Sequence, residues 1–163
     1  MQTEFGFEGF TPEELLEAFE ALPRALNRRL EEAGEDIGVR IASSARQNAP
    51  VDRGRLRSSI SHIVESVGTT LVNIRVGSNV DQAAPQEFGT DPGHFPPISA
   101  LRGWARRVLG DESAAYPIAR SIAETGLDAQ PFLGPALEEN IDWVMDRINR
   151  AVTDAFEDVG FEP

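Results

Sequence analysis

Apolar residues recur at Leu15, Phe19, Leu22, Leu26, Leu30, Ala33, Ile37, Ile41 and Ala45. Gaps of three and four keep one stripe on an α-helix, here for about eight turns. The helix opens at "TPEE". Thr11 serves as N-cap, Pro12 takes the first helical position and Glu14 closes a capping box. Pro23 removes one backbone donor and is expected to kink it. Gly34 and Gly38 weaken it, and Ala49, placed before Pro50, ends it.

Beyond Pro50 the period shortens to two. "LRSSISHIVESV" (56–67) and "TLVNIRVGS" (70–78) read as strands joined by a hairpin turn at "VGTT". In the second, Val72, Ile74 and Val76 face one way, Asn73 and Arg75 the other. Residues 79–97 hold four prolines and two glycines, which makes a long loop with one helical turn near Gln82–Phe88. Two short helices follow, "ISALRGWARRVLG" and "ESAAYPIARSIAETG", the second capped by Gly126. "PFLGP" reads as extended. A final helix begins near Pro135, with Leu137, Ile141, Val144, Ile148, Val152 and Ala155 as its buried stripe. The fold class expected is α+β: a long N-terminal helix and a C-terminal helix packed on a small antiparallel sheet, with a long Pro/Gly loop and two short helices. Residues 11–157 read as a single domain, 1–10 as a flexible arm and 158–163 as a frayed acidic tail.

Composition narrows the chemistry. The 163 residues suit one domain. With no cysteine, disulfides, thiolate catalysis and cysteine-ligated zinc are excluded. Two histidines, His62 and His94, are too few for a histidine-rich metal site. The start of the chain has no basic segment and no apolar block, so it does not read as a signal peptide, and no apolar run is long enough to span a bilayer. All fifteen basic residues are arginine, against twenty-seven acidic ones, for a net charge of −12. Such charge opposes compaction by self-repulsion unless salt screens it. An acidic, lysine-free chain therefore suggests work in concentrated salt; codon preference in a GC-rich genome is the blander source. A generic basic nucleic-acid binder is excluded.

Candidate chemistry is sparse. Asp81, Glu87, Asp91 and His94 could in principle ligate a metal for a hydrolase, but no HExxH, paired-carboxylate or EF-hand spacing accompanies them. The serines near His62 lack a nucleophile elbow, and without lysine there is no phosphate loop of the Walker kind. No catalytic, cofactor-binding or metal site is assigned, and no cofactor is expected. "APVDRGRLRSSI" (49–60) concentrates three cations, Arg53, Arg55 and Arg57, which alternate on one side if the segment is extended. In an acidic chain guanidinium forks find carboxylates, either within the chain or across an interface. The candidate interface residues are these three arginines, Phe88, His94 and Phe95 of the long loop, and Phe5, Phe7 and Phe10 of the N-terminal arm.

"NAPVDRGRLRSSI" resembles the "AP-V-D-T-G-x-L-R-x-S-I" segment of the tail-completion, or head–tail joining, proteins of tailed double-stranded DNA viruses. "VGSNVDQAAPQEFGT", "PPISALRGWARRVLG" with "AYPIARSIAETGLDAQPFLGPALEE", and the C-terminal amphipathic helix are similar to that family in the same order, so the resemblance covers about residues 12–150. Arg53 stands where the family usually has threonine, and Gln82–Pro85 where tyrosine is common. The resemblance implies a non-enzymatic virion protein, assembled in the host cytoplasm. Copies would form a homo-oligomeric ring, hexameric or matched to a dodecamer, at the neck. The ring would join a portal-side (head-completion) protein to a tail-tube or tail-terminator protein. Genomic DNA would pass through without sequence-specific binding, and no membrane is involved. With the composition, it points to a virus of a halophilic archaeon. Another minor virion part, such as a tail terminator or minor capsid protein, and the carboxylate-dependent hydrolase are the alternatives.

Overall fold

The computed structural model describes residues 10–161, so Phe5 and Phe7 lie outside the described residues. The chain is α+β. Helix α1 (Pro12–Asn48) is followed by α2 (Arg55–Ser59), strands β1 (Ser61–Val67) and β2 (Leu71–Gly77), α3 (Ala83–Phe88), α4 (Ile98–Leu109), a 3-10 turn at Glu112–Ala114, α5 (Ala115–Thr125), α6 (Leu133–Glu138) and α7 (Ile141–Glu157). The capping box forms as expected. Thr11 N–H donates to Glu14, and Glu14 N–H donates to the Thr11 hydroxyl. Helix α1 continues through Pro23. No described helix is long and apolar enough to cross a membrane.

The chain divides into two compact units. One comprises Met1–Ile41, His62–Val76 and Glu139–Pro163; the other Ala42–Ser61 and Gly77–Glu138. In the first, the two-stranded hairpin lies against α1, with Val64 and Ile74 half-buried. Gly34 and Gly38 make this approach feasible. A Cβ on Gly34 would stand 2.9 Å from Val64 Cγ1, and one on Gly38 2.4 Å from His62 Cδ2. The glycines that weaken the helix are the ones that admit the sheet. Helix α7 joins α1 through polar contacts. Arg40 donates to Asn140 at 2.6 Å and lies 4.4 Å over the Trp143 ring, while Arg147 pairs with Asp36 at 2.8 Å. Arg28 and Arg29 both hold Asp158, at 2.6 and 2.7 Å. The Phe161 ring gathers Phe10, Phe19 and Phe156, at 5.2, 5.7 and 5.9 Å between centroids. Asp158 and Phe161 supply the shared partner in these last two groups.

Two elements differ from the sequence reading. Residues 55–59 are helical, so the strand begins only at Ser61. Gly54, in the left-handed region at φ 75°, starts the turn, and Ser58 and Ser59 bond back to the carbonyls of Arg55 and Leu56. Leu56 and Ile60 are buried while Ser58 between them is exposed, a pattern that an extended segment, with 56, 58 and 60 on one face, would not give. The second difference lies at the final helix: residues 133–135 of "PFLGP" are not extended but open α6, which a break at Glu139–Asn140 separates from α7. The break turns Leu137 and Ile141 outward, and Asn140, Val144, Ala151 and Ala155 form the buried side instead.

Candidate functional site

The second unit carries most of the residues singled out by sequence, and its organisation starts from one carboxylate. Glu87, in the last turn of α3, is buried. Its two oxygens accept the backbone N–H groups of Phe132, Leu133 and Gly134 at 2.7, 2.9 and 2.8 Å. These are the donors that open α6 and would otherwise be orphaned. Burial pushes the carboxyl up, but the three N–H bonds outweigh it and hold the group below the ordinary carboxylate range. Neighbouring backbone continues the join. Gln130 N–H reaches Gln86 O at 2.8 Å, and Thr90 and Leu127 exchange both of their bonds, at 2.9 and 3.0 Å. Phe132 is fully buried beside it.

Two glycines let these strands of chain touch. Gly89 has φ 72° and Gly126 φ 82°. A Cβ on Gly126 would stand 2.2 Å from Thr90 O, and one on Gly89 2.5 Å from Leu127 O. "EFGT" and "ETGLDAQPFLG" are thus two halves of one clamp. Its visible product is Phe88, which follows the anchored carboxylate and is 81% exposed. Phe95, also exposed, sits 6.2 Å from the Tyr116 ring. His94 is exposed on the same loop, just after the Gly93 turn.

The arginine segment has a different environment. Arg53, Arg55 and Arg57 are all exposed, but with residues 55–59 helical they do not alternate along one side of an extended chain. None of the three pairs with a carboxylate among the described residues. Arg57 instead donates to Ala49 O at 3.3 Å. The carboxylate of this segment, Asp52, is taken by Arg107 of α4, whose Nε lies 3.2 Å from it. Sequence reasoning missed Arg107 because nothing in the spacing joins it to Asp52, fifty-five residues away.

Asp81, Glu87, Asp91 and His94 are not gathered; among the described residues no group of three or more His, Asp or Glu side chains is placed to hold a metal ion. Glu87 spends both oxygens on backbone. Phe10 belongs to the aromatic group of the first unit.

Residues 13–89 match a family model, HK97-gp10_like, described as "Bacteriophage HK97-gp10, putative tail-component". The match runs from the start of α1 to the end of the α3 segment, just under half of the 163 residues, and includes the three arginines and Phe88. No curated protein and no solved structure matches the chain. Over this span the chain is similar to a phage tail component, which supports a tail-related structural protein of a virion.

Proposed function

We propose that this chain is a structural protein of the virion neck. Copies form a ring at the head–tail interface that joins portal-side components to the tail tube and lets DNA pass, without catalysis. The similarity of residues 13–89 to a phage tail component carries the reading. The shape of the site supports it. The clamp at Glu87 holds a large aromatic, Phe88, out in solvent, and an exposed aromatic on a fixed backbone suits an interface anchor. Net charge of −12 supports the passage of DNA, because an acidic lumen repels phosphates and leaves nothing for the genome to adhere to. The same charge, carried without lysine, supports a host with concentrated salt inside, as in halophilic archaea. Residues 11–157 act as one building block in this reading.

Deleting the gene from the virus that encodes it tests the proposal. DNA-filled heads and unattached tails should accumulate, and supplying the protein in trans should restore infectious particles. Intact tailed particles formed without the protein would overturn it.

A further inference from the structure

The charge of this protein is divided very unevenly. The unit formed by Met1–Ile41, His62–Val76 and Glu139–Pro163 holds eighteen acidic residues and seven arginines, a net of −11. The unit formed by Ala42–Ser61 and Gly77–Glu138 holds nine acidic residues and eight arginines, a net of −1. Within the second unit the cations are not all neutralised locally. A Cβ placed on Gly103 would lie 3.2 Å from Nη1 of Arg107 and 3.3 Å from Nη2 of Arg53. Two guanidiniums therefore converge on the bare Cα of Gly103, and the carboxylate that reaches them, Asp52, is bound by Arg107. Arg53 has no ion pair among the described residues, nor does exposed Arg55.

The first unit shows the reverse. Residues 12–23, the start of α1, carry four glutamates and no arginine. Glu14 is engaged in the capping box. Glu13, Glu17 and Glu20 are exposed and have no partner among the described residues, and their spacing of four and three puts them in one row. Exposed Leu16 and Phe19 lie beside the row.

We infer that the guanidinium pair Arg53–Arg107 at Gly103, extended by Arg55, is a docking site for carboxylates, and that its occupant is the Glu13–Glu17–Glu20 row of a second copy of this chain. Guanidinium forks bind carboxylates through two parallel hydrogen bonds, and of the two forks that meet over Gly103 only Arg107 has a carboxylate partner among the described residues. Row and patch belong to different units and share no residue, so a copy docked by its row has not used its own arginines. Such head-to-tail contacts propagate until a ring closes. The inference rests on the ring-forming reading and names the surfaces that would mate.

Charge reversal tests it on the full-length protein by sedimentation, from about 0.15 M to about 1 M salt, where the screening length falls from about 8 Å to about 3 Å. Wild type should form a discrete oligomer. The double variants Arg53→Glu/Arg55→Glu and Glu17→Arg/Glu20→Arg should each keep the wild-type circular dichroism, because the substituted groups are exposed and unpaired. Each should lose self-association by roughly tenfold or more in dissociation constant, the size of effect expected when like charges face one another across an interface. Mixed, the two variants should associate with one another. A wild type that stays monomeric throughout, either variant assembling as wild type does, or folded variants that fail to associate when mixed would overturn the inference. If one variant misfolds, the other measures the same contact from the opposite side. None of these failures moves the protein from its place in the particle, which the deletion phenotype reads separately.

Discussion

The carboxylate of Glu87 accepts the backbone N–H of Phe132 at 2.7 Å, across forty-five residues of chain. This bond and its two companions fix the start of α6 and the base of the exposed Phe88 with the same two oxygens. Replacing the carboxylate by an amide leaves one acceptor for three donors and points an NH2 at N–H groups. Glu87→Gln should lower stability by about 1–3 kcal/mol, the cost of unsatisfied buried donors, measurable by urea denaturation. The pH dependence follows in sign. A carboxyl held below its ordinary value contributes stability fully above that value, 4.5, and loses it as pH falls through the lower folded value. The gap between wild type and Glu87→Gln should therefore narrow below about pH 4.5; a gap that widens there would contradict the assignment.

Gly38 faces His62 so closely that an added methyl must displace the ring. In an exposed helix Gly→Ala would gain about 1 kcal/mol. Here overpacking should reverse the sign, for a net loss of about 1–3 kcal/mol. His62→Ala in the same chain should recover most of it. Thermal denaturation of the single and double variants reads this directly.

Gly110 and Gly126 both have positive φ, at 75° and 82°. A Cβ meets nothing within 4 Å at Gly110, whereas at Gly126 it meets Thr90 O at 2.2 Å. Gly110→Ala should cost about 1–2 kcal/mol, the backbone strain alone. Gly126→Ala should cost more, because the Thr90–Leu127 exchange must open as well. Equal midpoints in denaturant would show that the clamp does not bear on stability.

Asp158 is held by the Arg29 guanidinium, with Arg28 beside it, and its carboxyl is lowered to about 2. The contact is complete above the ordinary value of 3.8 and is lost as pH falls through about 2. Asp158→Asn should release the end of α7 at neutral pH, speeding proteolysis near Phe161 while leaving the global melting temperature nearly unchanged.

Much of the fold was legible in the sequence. The three–four spacing of α1, the "TPEE" cap, the alternation of β2 and the Gly126 cap are local signals, and the structure follows them. The errors came where a short pattern has two readings. Arg53, Arg55 and Arg57 suggest a period of two, whereas the turn that Gly54 opens, with Ser58 N–H bonded to Gly54 O, is helical. The apolar stripe from Leu137 to Ile141 crossed a break marked only by Asn140, whose partner Arg40 lies one hundred residues away. The clamp was not legible at all. Glu87 in "EFGT" and the N–H groups of "PFLG" have no spacing rule that joins them. Arg53, Arg55 and Phe88 were visible as candidates; Arg107, Asp52 and Gly103, which surround Arg53, became visible only through the packing of α4.

The place of this protein in the particle is the central claim. Single-particle imaging of the tail-bearing vertex, averaged without imposing the symmetry of the head, tests it most directly. Density for a ring of this chain between portal and tail tube, with α1 and the β1–β2 hairpin resolved, is the predicted result. A fully assigned vertex and tail that contain no copy of the chain would contradict it.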